Sequence, residues 1–466
     1  MNHNNFSTFP LKPEILKNLE SLDYKQMTPI QMQSLGPILE NKDIIGLART
    51  GSGKTAAFGL GLIEKMTQGK HSVQSLVLCP TRELAEQVAK EIRRLARQLP
   101  NIKVLTLCGG TPMGPQIASL EHGAHCIVGT PGRIKDHLDR KTLRLKQIQT
   151  LVLDEADRML DMGFSEIIDS IVSASSSYRQ TLLFSATYPQ NIIEMSKKFQ
   201  KKPIFVKAAE SPQEKAKILE TFYQTEEAKK TSLLIKLLMQ HQAESTVIFC
   251  NTKQKCAELS FELKKKGFYA QAIHGDLEQY ERNQVLTLFA NRSSSILVAT
   301  DVAARGIDIN DLKSVINFDL PRDPHVYTHR IGRTGRAGKT GLAISLVAPS
   351  DTGKLKSIEK MQDRQILVQN SQSNMTSSPT PSKPFLPPMG SLQINGGKKH
   401  KVRATDILGA LTKEGGLEGK AVGKINIFEF HSIIAISRKS YKKAFTELSH
   451  GKIKGRTFKV KEVTPV

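Results

Sequence analysis

Ala48-Arg49-Thr50-Gly51-Ser52-Gly53-Lys54-Thr55, followed by a helix-competent run at 56–63, decides how this chain is read. Small residues let a backbone wrap tightly, and successive N–H groups at a helix start form a nest for phosphate oxygens. Ala48, Thr50, Gly51, Ser52 and Gly53 would line that cradle. Lys54 would reach the β- and γ-phosphates of a nucleotide, and the Thr55 hydroxyl would sit on Mg2+.

Working outward, Asp154-Glu155-Ala156-Asp157 follows an apolar run at 151–153. The carboxyl end of a parallel strand is where an α/β sheet presents its ligand-binding groups. Asp154 there would hold Mg2+, partly through water, and Glu155 would polarise the attacking water. Around these two segments, short aliphatic runs alternate with helical patterns, as in βαβ units on a parallel sheet. Strands are expected at 75–79, 103–107, 125–128, 150–153 and 181–184. The stretch 83–98 reads as a helix, with Leu84, Val88, Ile92 and Leu95 at four- and three-residue steps.

After about residue 215 the pattern restarts, with strands expected at 246–249, 270–273, 296–299, 314–318 and 342–347. This predicts α/β domains at 1–210 and 211–369, joined by a charged link around 207–217. Residues 370–389 are rich in Ser, Thr and Pro and read as a linker. From 390 to 466 strands are expected at 392–394, 424–427, 433–436 and 457–463, with helices at 405–411 and 441–448. That β-α-β-β-α-β order predicts a small α+β, ferredoxin-like domain of the RNA-recognition type.

Composition fits these motifs. The 466 residues allow about three domains. Lys plus Arg number 67 against 44 Asp plus Glu, a net charge of +23 that favours nucleic acid or an anionic membrane and disfavours an acidic disordered chain or calcium buffer. Residues 396–466 hold 16 Lys/Arg and 6 Asp/Glu, so +10 of that charge lies in the tail. Hydrophobic residues at 39% suffice for packed cores. The longest apolar stretch, 56–63, falls far below the roughly 18 residues of a membrane span. The polar stretch 1–10 is no secretory signal. Five scattered cysteines (Cys79, Cys108, Cys126, Cys250, Cys256) fit neither a disulfide framework nor a zinc site and indicate a reducing, cytoplasmic setting.

The P-loop, the DEAD tetrad, Ser185-Ala186-Thr187 and His329-Arg330-Ile331-Gly332-Arg333-Thr334-Gly335-Arg336 together resemble the DEAD-box ATP-dependent RNA helicases. The likeness spans roughly 6–347. Gly396-Gly397-Lys398-Lys399, residues 406–411 (DILGAL) and residues 451–455 (GKIKG) resemble the tail of the DbpA subfamily. The resemblance implies two RecA-like parallel-sheet domains and RNA-stimulated hydrolysis of ATP with Mg2+. It further implies local unwinding of structured RNA, a large-subunit ribosomal RNA hairpin as partner, and a role in ribosome assembly, here by a monomer.

It also implies residue roles. Thr28-Pro29-Ile30-Gln31 fits the adenine-reading motif, with Gln31 on the base edge, Tyr24 stacking and Phe6 as the isolated upstream aromatic. Asp23 stands where the family usually has glycine, and Met27 where proline is common. Gly306 and Asp308 resemble the ribose contact. Asp157, Ser185, Thr187 and His329 would couple the nucleotide site to RNA. Arginines three apart can aim their forks at one anion, and in the family those matching Arg333 and Arg336 reach the γ-phosphate.

The remaining motifs fall at strand ends: Pro80, Thr81 and Arg82; Gly110; Thr130, Pro131, Gly132 and Arg133; then Gly275, Arg282 and Thr300. Glycine, threonine and arginine allow close approach, hydroxyl bonding and pairing with phosphates, which predicts sequence-independent gripping of a sugar–phosphate backbone. In the tail, Lys398, Lys399, Lys401, Arg403, Lys452, Lys454 and Arg456 cluster at expected edges. The run 433–436 has no aromatic residue, so basic loops rather than stacked bases would bind RNA there. Two competing readings are a DNA translocase and a non-catalytic RNA-binding scaffold.

Overall fold

The computed structural model of the protein describes residues 4–48, 51–69, 72–207, 217–242, 244–304, 312–335, 340–370 and 383–463. They fall into two compact units, one holding the described residues up to Lys207 and the other those from Lys217 onward.

The first unit is built on seven strands: β1 (Ile44–Leu47), β2 (Ser75–Leu78), β3 (Val104–Leu107), β4 (Cys126–Gly129), β5 (Thr150–Asp154), β6 (Gln180–Ser185) and β7 (Ile204–Lys207). All pair in parallel, in the order β3-β4-β2-β5-β6-β1-β7. Alternate residues feed two cores. Val77 and Val152 point to one, and Leu76, Leu78, Leu151 and Leu153 to the other. A strand buried on both faces therefore reads as an unbroken apolar run.

Five of these strands lie where the sequence predicts them, with no end shifted by more than one residue; β1 and β7 were not anticipated. β1 is four residues long and contains Gly46, where a side chain would collide with the Phe184 ring of β6. Close approach of the neighbouring strand thus removes the β-branched signal from the strand that feeds the P-loop.

The second unit repeats the design with β8 (Lys217–Gln224), β9 (Thr246–Phe249), β10 (Ala270–Ile273), β11 (Ile296–Ala299), β12 (Ser314–Asn317), β13 (Thr340–Val347) and β14 (Val368–Asn370). These too are parallel, in the order β10-β11-β9-β12-β13-β8-β14. β8 and β14 were missed in the sequence, and β14 extends to the first residue of the expected linker. Most of the charged link (208–216) and of the linker (371–382) lies outside the described residues.

The tail belongs to this same unit. β15 (Met389–Ile394), β16 (Val422–Ile427), β17 (Ser432–Ser437) and β18 (Val460–Glu462) form an antiparallel sheet ordered β16-β17-β15-β18. Helices Ala404–Gly409 and Tyr441–His450 complete the β-α-β-β-α-β order. Leu392, Ile394, Ile434 and Ile436 face those helices and pack with Ile407, Leu411, Ala444 and Leu448.

The opposite face of this sheet, carrying Ser391, Gln393, Ile433 and Ala435, is buried as well. The Ser391 and Ser293 hydroxyls are 2.7 Å apart, the Tyr280 hydroxyl donates to Gln393 Oε1 at 3.2 Å, and the Arg438 guanidinium lies 4.6 Å over the Tyr269 ring. The second parallel-sheet domain therefore covers the tail face that an RNA-recognition fold ordinarily presents to bases. No helix among the described residues is long and apolar enough to cross a membrane.

Candidate nucleotide site and nucleic-acid face

At the carboxyl ends of β1 and β5 the two deciding motifs meet. Lys54 opens the helix Lys54–Lys65, and its Nζ lies 3.0 Å from Asp154 Oδ1 and 3.9 Å from Glu155 Oε1. All three side chains are buried. Burial works against the Lys54 charge, but Asp154 and then Glu155 outweigh it and hold the ammonium above the ordinary lysine value. Burial lifts the Asp154 carboxyl, and Lys54 offsets this only in part. Glu155 caps the next helix in the left-handed conformation, φ 54°, with Arg158 Nη1 2.9 Å from its Oε2. A non-glycine residue held there stores strain of about 1–3 kcal/mol, a common property of functional sites.

Thr28 and Gln31 brace this loop. Gln31 Oε1 accepts the Thr28 N–H at 2.9 Å, the reach-back of a capping box. Its Nε2 donates to Gly53 O at 3.0 Å, while Thr28 Oγ1 donates to Ser52 O at 2.8 Å. Phe6 is buried, edge-on to Tyr24 with ring centroids 6.0 Å apart. The Tyr24 hydroxyl donates to Glu91 at 2.6 Å, and burial followed by that carboxylate pushes its pKa up to about 12. Asp23 takes φ 60°, the conformation glycine adopts without strain, which explains why glycine suits this position. Met27 is buried and its N–H donates to Asn4 O at 2.8 Å, a bond a proline could not make.

Asp157 joins the acidic tetrad to the end of β6. Its Oδ2 accepts the Ala186 and Thr187 N–H groups at 3.2 and 3.1 Å and the Thr187 hydroxyl at 2.9 Å. Ser185 Oγ donates to Thr187 O at 2.6 Å. Three hydrogen bonds thus tie Asp157 to residues 186 and 187.

The strand-end candidates of the first unit lie at neighbouring carboxyl ends of β2, β3 and β4. Pro80 is buried, and Thr81 Oγ1 caps the helix Arg82–Leu95 by accepting the Leu84 N–H at 3.3 Å. Gly110 has φ 72°, and any side chain there would overlap the Arg82 guanidinium. Thr130 caps Pro131–Asp139, which carries Gly132 and Arg133 in its first turn. In the second unit Gly275 is exposed beyond β10, Thr300 follows β11, and Arg282 Nη2 donates to Ala303 O at 3.4 Å. His329 is half-buried and Arg333 buried. Thr50, Gly306, Asp308 and Arg336 lie outside the described residues.

The sequence reading passed over Arg330, which the structure makes the centre of the second unit. Fully buried, it donates to both Asp301 oxygens at 2.6 and 2.7 Å, to Asn317 Oδ1 at 3.1 Å, to Asp319 O at 2.6 Å and to Asn251 Oδ1 at 3.1 Å. Its charge lies 5.0 Å over the Phe249 ring. One side chain thus ties together the ends of β9, β11 and β12. Asn251 and Asp301 are polar residues just past strand ends, and only folding reveals what they hold.

In the tail all seven candidate cations are exposed. Phe458 brings their two sequence clusters together: its ring packs against Gly396 and edge-on to His400 at 6.0 Å, beside the 452–456 turn. Segments 398–403 and 452–456 therefore lie at the same end of the tail sheet, where Ile394 of β15 pairs with Val460 of β18.

Residues 28–195 match the DEAD/DEAH box helicase family, residues 229–338 the helicase conserved C-terminal domain, and residues 391–462 the DbpA RNA binding domain. The ATP-dependent RNA helicase DbpA of Escherichia coli (strain K12) is 48% identical over 457 residues, covering 98% of this chain and 99% of that protein. The DEAD-box ATP-dependent RNA helicase CshA of Bacillus cereus is 45% identical over 361 residues, 78% of this chain and 69% of the relative. Among solved structures, Saccharomyces cerevisiae Dbp5 bound to RNA and ADP BeF3 superposes with a TM-score of 0.71 at 32% identity, covering 79% of this chain and 96% of that one. With motif set, double parallel sheet and tail all in agreement, the chain belongs to the DEAD-box ATP-dependent RNA helicases, in the group that carries a DbpA RNA-binding domain.

Proposed function

We propose that this helicase couples RNA-stimulated ATP hydrolysis to local unwinding of large-subunit ribosomal RNA during ribosome assembly. The observation that carries the reading is the tail. A DbpA-type RNA-binding domain has its sheet face covered, and seven exposed cations lie on the two segments, 398–403 and 452–456, at one end of that sheet, an arrangement suited to a structured, phosphate-rich hairpin rather than to stacked single bases.

In this reading Lys54 binds the β- and γ-phosphates, Glu155 orients the attacking water and accepts its proton, and Arg333 and Arg336 bring positive charge to the γ-phosphate. Gln31, Tyr24 and Phe6 serve the adenine, and Gly306 and Asp308 the ribose. The family implies Mg2+, and the residues fit it: the Asp154 carboxylate and Thr55 hydroxyl are hard oxygen donors, and Thr55 adjoins the Lys54 that meets Asp154. When bound, the ion would neutralise charge on the β- and γ-oxygens. The strand-end residues from Pro80 to Arg133 and from Gly275 to Thr300 would grip the RNA backbone. The domain limits 1–210, 211–369 and 390–466, a monomeric state and a cytoplasmic location complete the proposal. Five buried, unpaired cysteines agree with a reducing compartment.

The test is ATPase stimulation by ribosomal RNA fragments, with and without residues 390–466. A preference for hairpin-containing fragments that disappears on truncation is expected. A preference that survives truncation removes the tail as the specificity module.

A further inference from the structure

We propose that Gln116 and His137 are positioning residues that fix the spacing of two RNA-facing loops, 108–111 and 130–133, and so set RNA affinity without touching RNA. The inference rests on the reading of those loops as RNA contacts.

The loops leave β3 and β4, adjacent parallel strands, and so emerge side by side. Gln116, in the helix Met113–Glu121, donates through Nε2 to Cys108 O at 3.0 Å and to Thr111 Oγ1 at 2.5 Å. Both amide hydrogens are thereby used within the first loop, which turns Oε1 toward His137 Nε2 at 3.2 Å. His137 is fully buried on Pro131–Asp139, the helix that begins the second loop. Gln116 Oε1 is an acceptor for the Nε2 proton, while Nδ1 lies 2.8 Å from the Thr142 hydroxyl, which itself donates to His137 O at 3.1 Å. Burial, followed by Arg133, holds this imidazole below its ordinary pKa, in keeping with a neutral ring.

A second strut runs alongside, with Arg133 Nη1 donating to Thr111 O at 3.0 Å. From the other side the Arg82 guanidinium lies against Gly109 and Gly110. The first loop is therefore held by Arg82 and Arg133, from the two other segments of this unit that sequence analysis assigns to the RNA face, as well as by Gln116. Gln116 and His137 are nine-tenths or more buried, so neither is placed to contact RNA itself. An apolar pair could fill the same space at no polar cost. Hydrogen bonds of defined direction fix the relative height of two loops, whereas apolar contacts slide.

The experiment measures ATPase rate against RNA concentration, together with nucleotide affinity, in full-length His137→Leu, Gln116→Met, the double variant and His137→Gln. The Leu and Met changes are expected to raise the RNA KM about tenfold, leaving kcat at saturating RNA and nucleotide affinity within about twofold. The double variant should be no worse than either single one, because both cut the same strut. His137→Gln keeps an N–H donor at the place of Nε2 and should restore the RNA KM. An unchanged RNA KM in a folded variant, or parallel loss of kcat and nucleotide affinity, overturns the inference; if His137→Leu does not fold, Gln116→Met decides. Gly132→Glu separates this inference from the reading beneath it, since no atom lies within 4 Å of where its side chain would begin. Weakened RNA binding in Gly132→Glu with an unchanged RNA KM in His137→Leu sinks the positioning role alone. No change in either variant sinks the RNA face as well.

Discussion

The two parallel sheets have the same topology strand for strand. Counted from its own first strand, each runs 3-4-2-5-6-1-7. The likeness reaches individual loops: Thr81 after β2 and Thr252 after β9 each cap a helix by accepting the third N–H, at 3.3 and 3.2 Å. The difference lies in what is buried at the carboxyl ends. In the first unit Lys54 sits between Asp154 and Glu155, the latter also paired with Arg158, on the loop proposed to hold phosphates. In the second, one arginine has every nitrogen satisfied by Asp301, Asn317, Asp319 and Asn251. One fold thus supports the centre proposed to be reactive in the first unit and a braced one in the second. Function resides in strand-end side chains rather than in the sheet.

The comparison breaks most sharply at Glu155. Glu155→Gln keeps the shape but removes the base, and should lower RNA-stimulated kcat by about 10²–10⁴-fold with ATP still bound. Steady-state hydrolysis together with nucleotide binding measures this, and unchanged turnover would remove Glu155 from the chemistry.

In the second unit the main effect should be on stability. Arg330→Lys cannot span Asp301, Asn317 and Asn251 at once, so it leaves buried acceptors and a carboxylate poorly paired. A loss of about 3–5 kcal/mol is expected, read as a lower urea midpoint. If Arg330→Lys instead left stability intact and abolished hydrolysis, the contrast between a reactive and a braced centre would fail.

The smallest effect concerns the tail. His431 stacks on Phe428 at 4.6 Å and meets Tyr280 of the neighbouring domain edge-on at 5.2 Å. Burial holds its pKa below the ordinary 6.5. A folded-state value that is lowered means the docked form resists protonation, so docking is at full strength above 6.5 and weakens as pH falls below it. Hydrogen exchange of β15 and β17 amides should therefore quicken modestly between neutral pH and pH 6 relative to the intrinsic rate. His431→Phe should flatten that dependence; an equally steep response in the variant would assign it to another group.

Much of this architecture was legible in the chain because strands buried on both faces are written as aliphatic runs. Residues 75–78 and 150–153 show this, and so do 246–249 and 296–299. Motifs at their ends were legible because phosphate binding restricts residue types to a few. The strands that escaped, β1, β7, β8 and β14, are short, interrupted by glycine, or carry polar residues on one side. Asp23 and Met27 looked like departures from a pattern, yet each is explained by a local backbone requirement. Arg330, Gln116 and His137 escaped for another reason: an arginine, a glutamine or a histidine in a helix reads as surface until its partners are known.

The sequence by itself determined the chemistry on offer: the P-loop and acidic tetrad, the repeated α/β pattern, and the basic tail with its β-α-β-β-α-β order. These depend on local spacing and residue type, which one dimension records. Only the tertiary structure decided which groups meet. It paired Lys54 with Asp154, set Asp157 under 185–187, buried Arg330 among three strand ends, and pressed the tail sheet against Ser293 and Tyr280. Such contacts join residues far apart in the chain, where each partner alone is an ordinary polar side chain and only burial against the other fixes its role.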